Sequence, residues 1–116
     1  MATFKLVDNI SAASGSTYTS ASTVLDMARD DYGTIVVTHG GSRLASGAAV
    51  SVYLQGSLDG GTVWFDLDVM KPSDTLYVNG NLGSWARVVP VVPLVRILIT
   101  NTSGSALSSV TAWLID

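Results

Sequence analysis

Few side chains in this 116-residue chain could carry acid–base or nucleophilic chemistry. His39 is the only histidine, in Thr38-His39-Gly40-Gly41, and neither Glu nor Cys occurs. A Ser-His-Asp triad would need this imidazole beside a positioned serine, and the nucleophile-elbow pattern Gly-x-Ser-x-Gly is missing. Fifteen serines leave no reason to choose one, so His39 reads as a residue at a strand-to-loop junction. Asp66 and Asp68 stand two apart, which on a regular strand puts both carboxylates on one face. A glycosidase pair must flank a bond with its carboxyls about 5 to 9 Å apart, and Ca²⁺ takes roughly six or more oxygen ligands. No loop that would complete either site is legible, so the two carboxylates read as solvated. The expectation is no catalytic residue, no metal site and no cofactor, and the lack of Cys excludes disulfides and thiolate chemistry.

Other patterns have folding explanations. Ser57-Leu58-Asp59-Gly60-Gly61-Thr62-Val63-Trp64 fits Ser-x-Asp-x-Gly-x-x-Trp and resembles the Asp-box turn of sialidase-like propellers. There the Asp caps hairpin N–H groups, a Gly takes a positive φ and the Trp packs beneath. Ser57, Asp59, Gly61 and Trp64 are therefore expected to build a hairpin, and one copy cannot make a propeller. Arg87-Val88-Val89-Pro90-Val91-Val92-Pro93 has the Arg-x-x-Pro-x-x-Pro form of an SH3 ligand, but its valines and prolines suit an edge strand or a crossing between sheets. Trp85 and Arg87, two apart beside Pro90 and Pro93, form the preferred contact patch, since aromatics and Arg are enriched at interface cores. Asn9-Ile10-Ser11 and Asn101-Thr102-Ser103 match glycosylation sequons that mean nothing without secretion.

The elements that must position these residues are strands. Fifteen Val, eleven Thr and five Ile are β-branched, and such side chains pack well on a pleated sheet. Thr3 to Ile10, Tyr18 to Ala28, Thr34 to Thr38, Val50 to Gln55, Val63 to Val69, Leu76 to Val78, Trp85 to Val92, Val95 to Thr100 and Leu107 to Ile115 read as extended. A short helix from Ser22 is the rival for the second of these. Ser11 to Ser16 reads as a flexible connector, Asp30 to Gly33, Gly56 to Gly61 and Pro72 to Asp74 as turns, and His39 to Gly47 as a loop. About eight strands at roughly ten-residue spacing predict an all-β sandwich or barrel in a single domain.

Charge and hydropathy narrow the partners. Nine Asp against two Lys and four Arg give a net charge of −3, which offers no field for a nucleic acid. The longest apolar stretch, Val88 to Val95, holds two prolines and falls far short of the ~20 residues of a membrane span. No signal sequence is visible at the N-terminus, so synthesis in a cytoplasm is expected. Only 13% of residues are charged while 47% are hydrophobic, so much apolar surface is expected to lie against other subunits.

The segments Val50-Ser-Val-Tyr-Leu-Gln-Gly-Ser-Leu-Asp-Gly-Gly-Thr-Val-Trp-Phe-Asp-Leu, Val95-Arg-Ile-Leu-Ile-Thr-Asn-Thr-Ser-Gly and Val110-Thr-Ala-Trp-Leu together resemble small β-sandwich proteins of tailed bacteriophages. The resemblance spans Thr19 to Ile115 and is best in these segments. It points to capsid decoration (cement) proteins and, more distantly, to head-fibre or tail domains. It implies about eight antiparallel strands in a jelly-roll-like sandwich, with residues 1–16 as an N-terminal strand and arm and 17–116 as the sandwich. It also implies a homotrimer on the virion exterior that bridges major capsid protein subunits, with no enzyme activity. Phe4 and Leu6 on the arm, with Trp85, Arg87, Pro90 and Pro93, are the interface candidates. The alternative is a carbohydrate- or receptor-binding module of a tail or head fibre, stacking sugars on Tyr53, Trp64 or Trp85.

Overall fold

The β-branched residues that recur at alternate positions commit this chain to strands. The computed structural model describes residues 3–25, 32–42, 50–70, 76–77, 82–102 and 107–115, with the backbone alone for 41–42, 76–77 and 82–87. Its elements are β1 (Thr3–Ala12), β2 (Ser16–Thr19), β3 (Thr23–Val24), β4 (Tyr32–Ser42), β5 (Val50–Ser57), β6 (Phe65–Met70), β7 (Leu76–Tyr77), β8 (Leu82–Pro90), β9 (Leu94–Asn101) and β10 (Leu107–Ile115). Among the described residues there is no helix, and so none that could cross a membrane. One sheet has the order β1-β10-β4-β8-β7, the other β2-β9-β5-β6 with β3 also on β9, and every pairing is antiparallel. The expected all-β sandwich is the observed architecture.

The pairings nest. Strand β1 pairs with β10, β2 and β3 with β9, β4 with β8, and β5 with β6, as in one long hairpin ribbon. That ribbon is wound on itself so that β10 also meets β4 and β9 also meets β5. Successive segments thereby alternate between the two sheets.

Between the sheets lies a core with little polar content. Val50, Val52 and Leu54 of β5 and Val95, Ile97 and Ile99 of β9 face Ile35 and Val37 of β4 and Val110, Ala112 and Leu114 of β10, all at most 2% exposed. The inner faces interdigitate as in other sandwiches. Asn101, fully buried at the end of β9, donates its amide to the Ala12 carbonyl at 2.8 Å and so ties the end of β1 to the opposite sheet. Ser20 fills the gap between β2 and β3: its backbone N–H donates to the Ile97 carbonyl (2.8 Å) and its hydroxyl accepts the Ile97 N–H (2.9 Å). The crossing from β8 to β9 passes over the end of β5. A Cβ on Gly56 would stand 2.5 Å from a Val92 methyl and 2.9 Å from Leu67 Cδ1, so only glycine allows this approach.

Several boundaries differ from the sequence reading. Residues Ser11 and Ala12 belong to β1, and a turn at Ser14–Gly15 replaces the longer connector. Strand β1 pairs with β10 from Thr3 to Ala12, and Leu6, Val7 and Ala12 are core residues. The stretch expected to be extended from Tyr18 carries only β2 and β3, and its end, 26–28, lies outside the described residues. Tyr32 and Gly33 open β4, and His39 to Ser42 continue it, because this stretch pairs with Leu82 and Gly83 of β8 where a loop was expected. Asp30, Asp31, Arg43 to Gly47, the turn at 72–74, Val78 and Asn79 to Asn81 lie outside the described residues. Gly56 and Ser57 finish β5 before any turn. The extended run expected to reach Val92 stops at Pro90. Strand β8 lies between β4 and β7, where an edge strand was one expectation, and Pro93 sits in the crossing between the sheets, which was the other.

Candidate functional site

The best-defined polar geometry is the β5–β6 hairpin. One carboxylate oxygen, Asp59 Oδ1, accepts the backbone N–H groups of Thr62 (3.1 Å) and Val63 (3.0 Å) and the Ser57 hydroxyl (2.8 Å). Ser57 Oγ in turn accepts the Gly61 N–H at 2.9 Å, and the Trp64 indole N–H donates to the Gly61 carbonyl at 2.9 Å. Gly60 and Gly61 take φ values of 79° and 101°, a region closed to most side chains. Ser57, Asp59, Gly61 and Trp64 are thus brought together in the roles the motif assigns. The Val63 N–H, followed by the Ser57 hydroxyl and then the Thr62 N–H, holds the Asp59 carboxyl below the usual range. Val63 is taken out of the ladder by this cap, so β6 starts at Phe65.

A polar network runs from the hairpin across the outer face of the second sheet. Gln55 donates to Asp66 Oδ1 (2.9 Å) and accepts from Arg96 Nε (2.8 Å), and the Arg96 guanidinium lies 4.2 Å from the Trp64 ring centroid. One ring face of Trp64 is therefore covered by a cation. Gln55 and Arg96 were missed in the sequence because they are 41 residues apart; only their register, directly opposite on β5 and β9, unites them.

Asp66 and Asp68 do not share a face. Gln55 opposes Asp66 and Leu54 opposes Asp68, so one step on β5 spans two on β6 and Leu67 is the extra residue of a β-bulge. The bulge turns Asp66 outward to Gln55 and sends Leu67 toward Gly56 in the interior.

The remaining candidates scatter. His39 is 8% exposed on β4 and its Nδ1 lies 2.9 Å from the Gly40 carbonyl oxygen, a contact that requires Nδ1–H. Among the described residues no three His, Cys, Asp or Glu side chains gather as a metal site would require. Leu6, expected at an interface, is 7% exposed and belongs to the core, and Phe4 packs against that core half-buried. Trp85 and Arg87 stand opposite Val37 and Ile35 in the β4–β8 register, and their side chains are outside the described set. Pro90 is half-buried and Pro93 exposed. Asn101 of the second sequon is buried and bonded to Ala12.

A second surface is the outer face of the first sheet. Trp113 opposes Val36, Ile115 opposes Thr34, Thr111 opposes Thr38, and Val88 opposes Thr34 from β8. These outward residues are half-buried within the sheet except Val88, which is 67% exposed. None is charged; charge returns at the β1 edge, where Lys5 and Asp8 pair at 3.6 Å. No protein-family model matches the chain, and no curated protein matches it.

Proposed function

We propose that this protein is a structural virion component of the decoration class, which binds the outer surface of a phage capsid and bridges major capsid protein subunits. In this reading the wound ribbon is a jelly roll, whose two Greek keys give the same nesting of first strand with last. The molecule works as a self-associated cap, a homotrimer, whose repeated weak contacts act together on a lattice.

The observation that carries the reading is the outer face of the first sheet. A solitary sandwich keeps its outward rows polar, whereas Val36, Trp113, Ile115 and Val88 here join three threonines with no charge among them. Such a face suits contact with other subunits. Capsids prepared without the protein and then mixed with it test the reading by co-sedimentation. Saturable binding at a fixed ratio to capsid subunits, with a raised capsid melting temperature, is expected; no pelleting above the protein-alone control would contradict it.

A further inference from the structure

We propose that the tip of the β5–β6 hairpin is a preformed docking knob for an extended segment of another protein, one carrying an aliphatic side chain flanked by Lys or Arg. Leu58 (76% exposed), Val63 (60%) and Phe65 (38%) converge on one open groove of about 370 Å³, which Asp59 also lines. The turn accounts for Ser57, Asp59, Gly60, Gly61 and Trp64, each of which supplies a bond or a positive φ. It makes no use of the side chains of Leu58 and Val63, where polar residues would serve the loop equally well. Isolated exposed apolar side chains need no explanation, but three around one groove mark a contact surface.

Two properties select the occupant. The loop is held by its own hydrogen bonds before any partner arrives, so contact with an extended segment costs little ordering of this side. All three bonds to the Asp59 carboxylate end on Oδ1, and among the described residues no cation lies within ion-pair distance of it. An ionised carboxylate at the wall of an apolar groove, on a chain of net charge −3, favours a basic flank and disfavours an acidic one. The inference stands apart from the capsid reading, because it concerns the chemistry of the segment and not the assembly that supplies it.

The test is a titration of the isotopically labelled full chain, followed by backbone amide shifts, with three short synthetic peptides: Leu spaced by Lys, Leu spaced by Asp, and Ser spaced by Lys. Saturable shifts of Leu58, Thr62, Val63 and Phe65 are expected with the Leu/Lys peptide, and affinities about tenfold or more weaker with the others. The double variant Leu58→Ser, Val63→Ser should weaken Leu/Lys binding at least about tenfold, while the thermal midpoint and the capped amide shift of Thr62 stay in place. Affinity should also fall between ~0.01 M and ~0.15 M salt, over which the Debye length shortens from ~30 to ~8 Å. Equal binding of the Leu/Asp peptide, no saturable shift at these amides, or binding indifferent to the double variant would overturn the proposal. Self-association that vanishes in the double variant would assign the groove to a second copy and overturn it as well.

Discussion

Asp59 shows how one exposed side chain can set the local fold. Its Oδ1 satisfies two backbone N–H groups that would otherwise point into the turn. Asp59→Asn weakens those bonds, so the amides of Thr62 and Val63 should exchange with solvent faster than in the wild type. The pH dependence has a definite sign. Because folding lowers this carboxyl's pKa, its contribution is complete above the ordinary Asp value of ~3.9 and is lost as pH falls through the lower folded value. The gap in stability between wild type and Asp59→Asn should therefore be constant near neutrality and close in acid; a gap that widens in acid would refute the cap. Two buried positions have larger consequences. Asn101→Ala strips the Ala12 carbonyl of its donor in the interior and should cost about 1–3 kcal/mol in denaturant unfolding. Gly56→Ala drives a methyl into Val92 and Leu67 and should cost about 1–3 kcal/mol by overpacking.

Among the elements, β6 illustrates what an inserted residue does. Leu67 is the extra residue that separates the faces of Asp66 and Asp68. Deleting Leu67 would leave a continuous ladder with Asp66 still opposite Gln55 and Asp68 opposite Leu54, and would remove the side chain that packs at Gly56. The deletion should lower the unfolding midpoint far more than Asp66→Asn, which keeps the bulge. This is also where the sequence stops being legible. Alternation identified β5 and β9, since Val50, Val52 and Leu54 and Val95, Ile97 and Ile99 obey period two without interruption. The hairpin motif was legible because all its partners lie within eight residues, Ser57 to Trp64. The bulge was not, because Asp-Leu-Asp alternates perfectly until its neighbour's register is known. Nor was the run of β4 through Gly40 and Gly41: two glycines look like a loop, and only the pairing with β8 extends the strand. Leu6 was misplaced for a related reason, as an aliphatic in an N-terminal segment reads equally well as core or as interface until β1 is seen on β10.

At the scale of the whole molecule the two outer faces differ in kind. The second sheet carries Gln55, Asp66 and Arg96 in a bonded network, while the first carries rows of threonine, valine, isoleucine and tryptophan. The free edges are poor templates for pairing between molecules: β1 has three register shifts, β6 has its bulge, and β2 and β3 are short and interrupted. The proposed association therefore runs through the outer face of the first sheet, whose rows on β10 and β4 carry no charge, and not edge to edge. Sedimentation of the purified protein across a range of concentrations, beside the variant Val36→Asp, tests this most directly. The account predicts a discrete oligomer of three copies for the wild type and a folded monomer for Val36→Asp. A wild type that remains monomeric throughout, or an oligomer untouched by a carboxylate in the middle of that face, would contradict it.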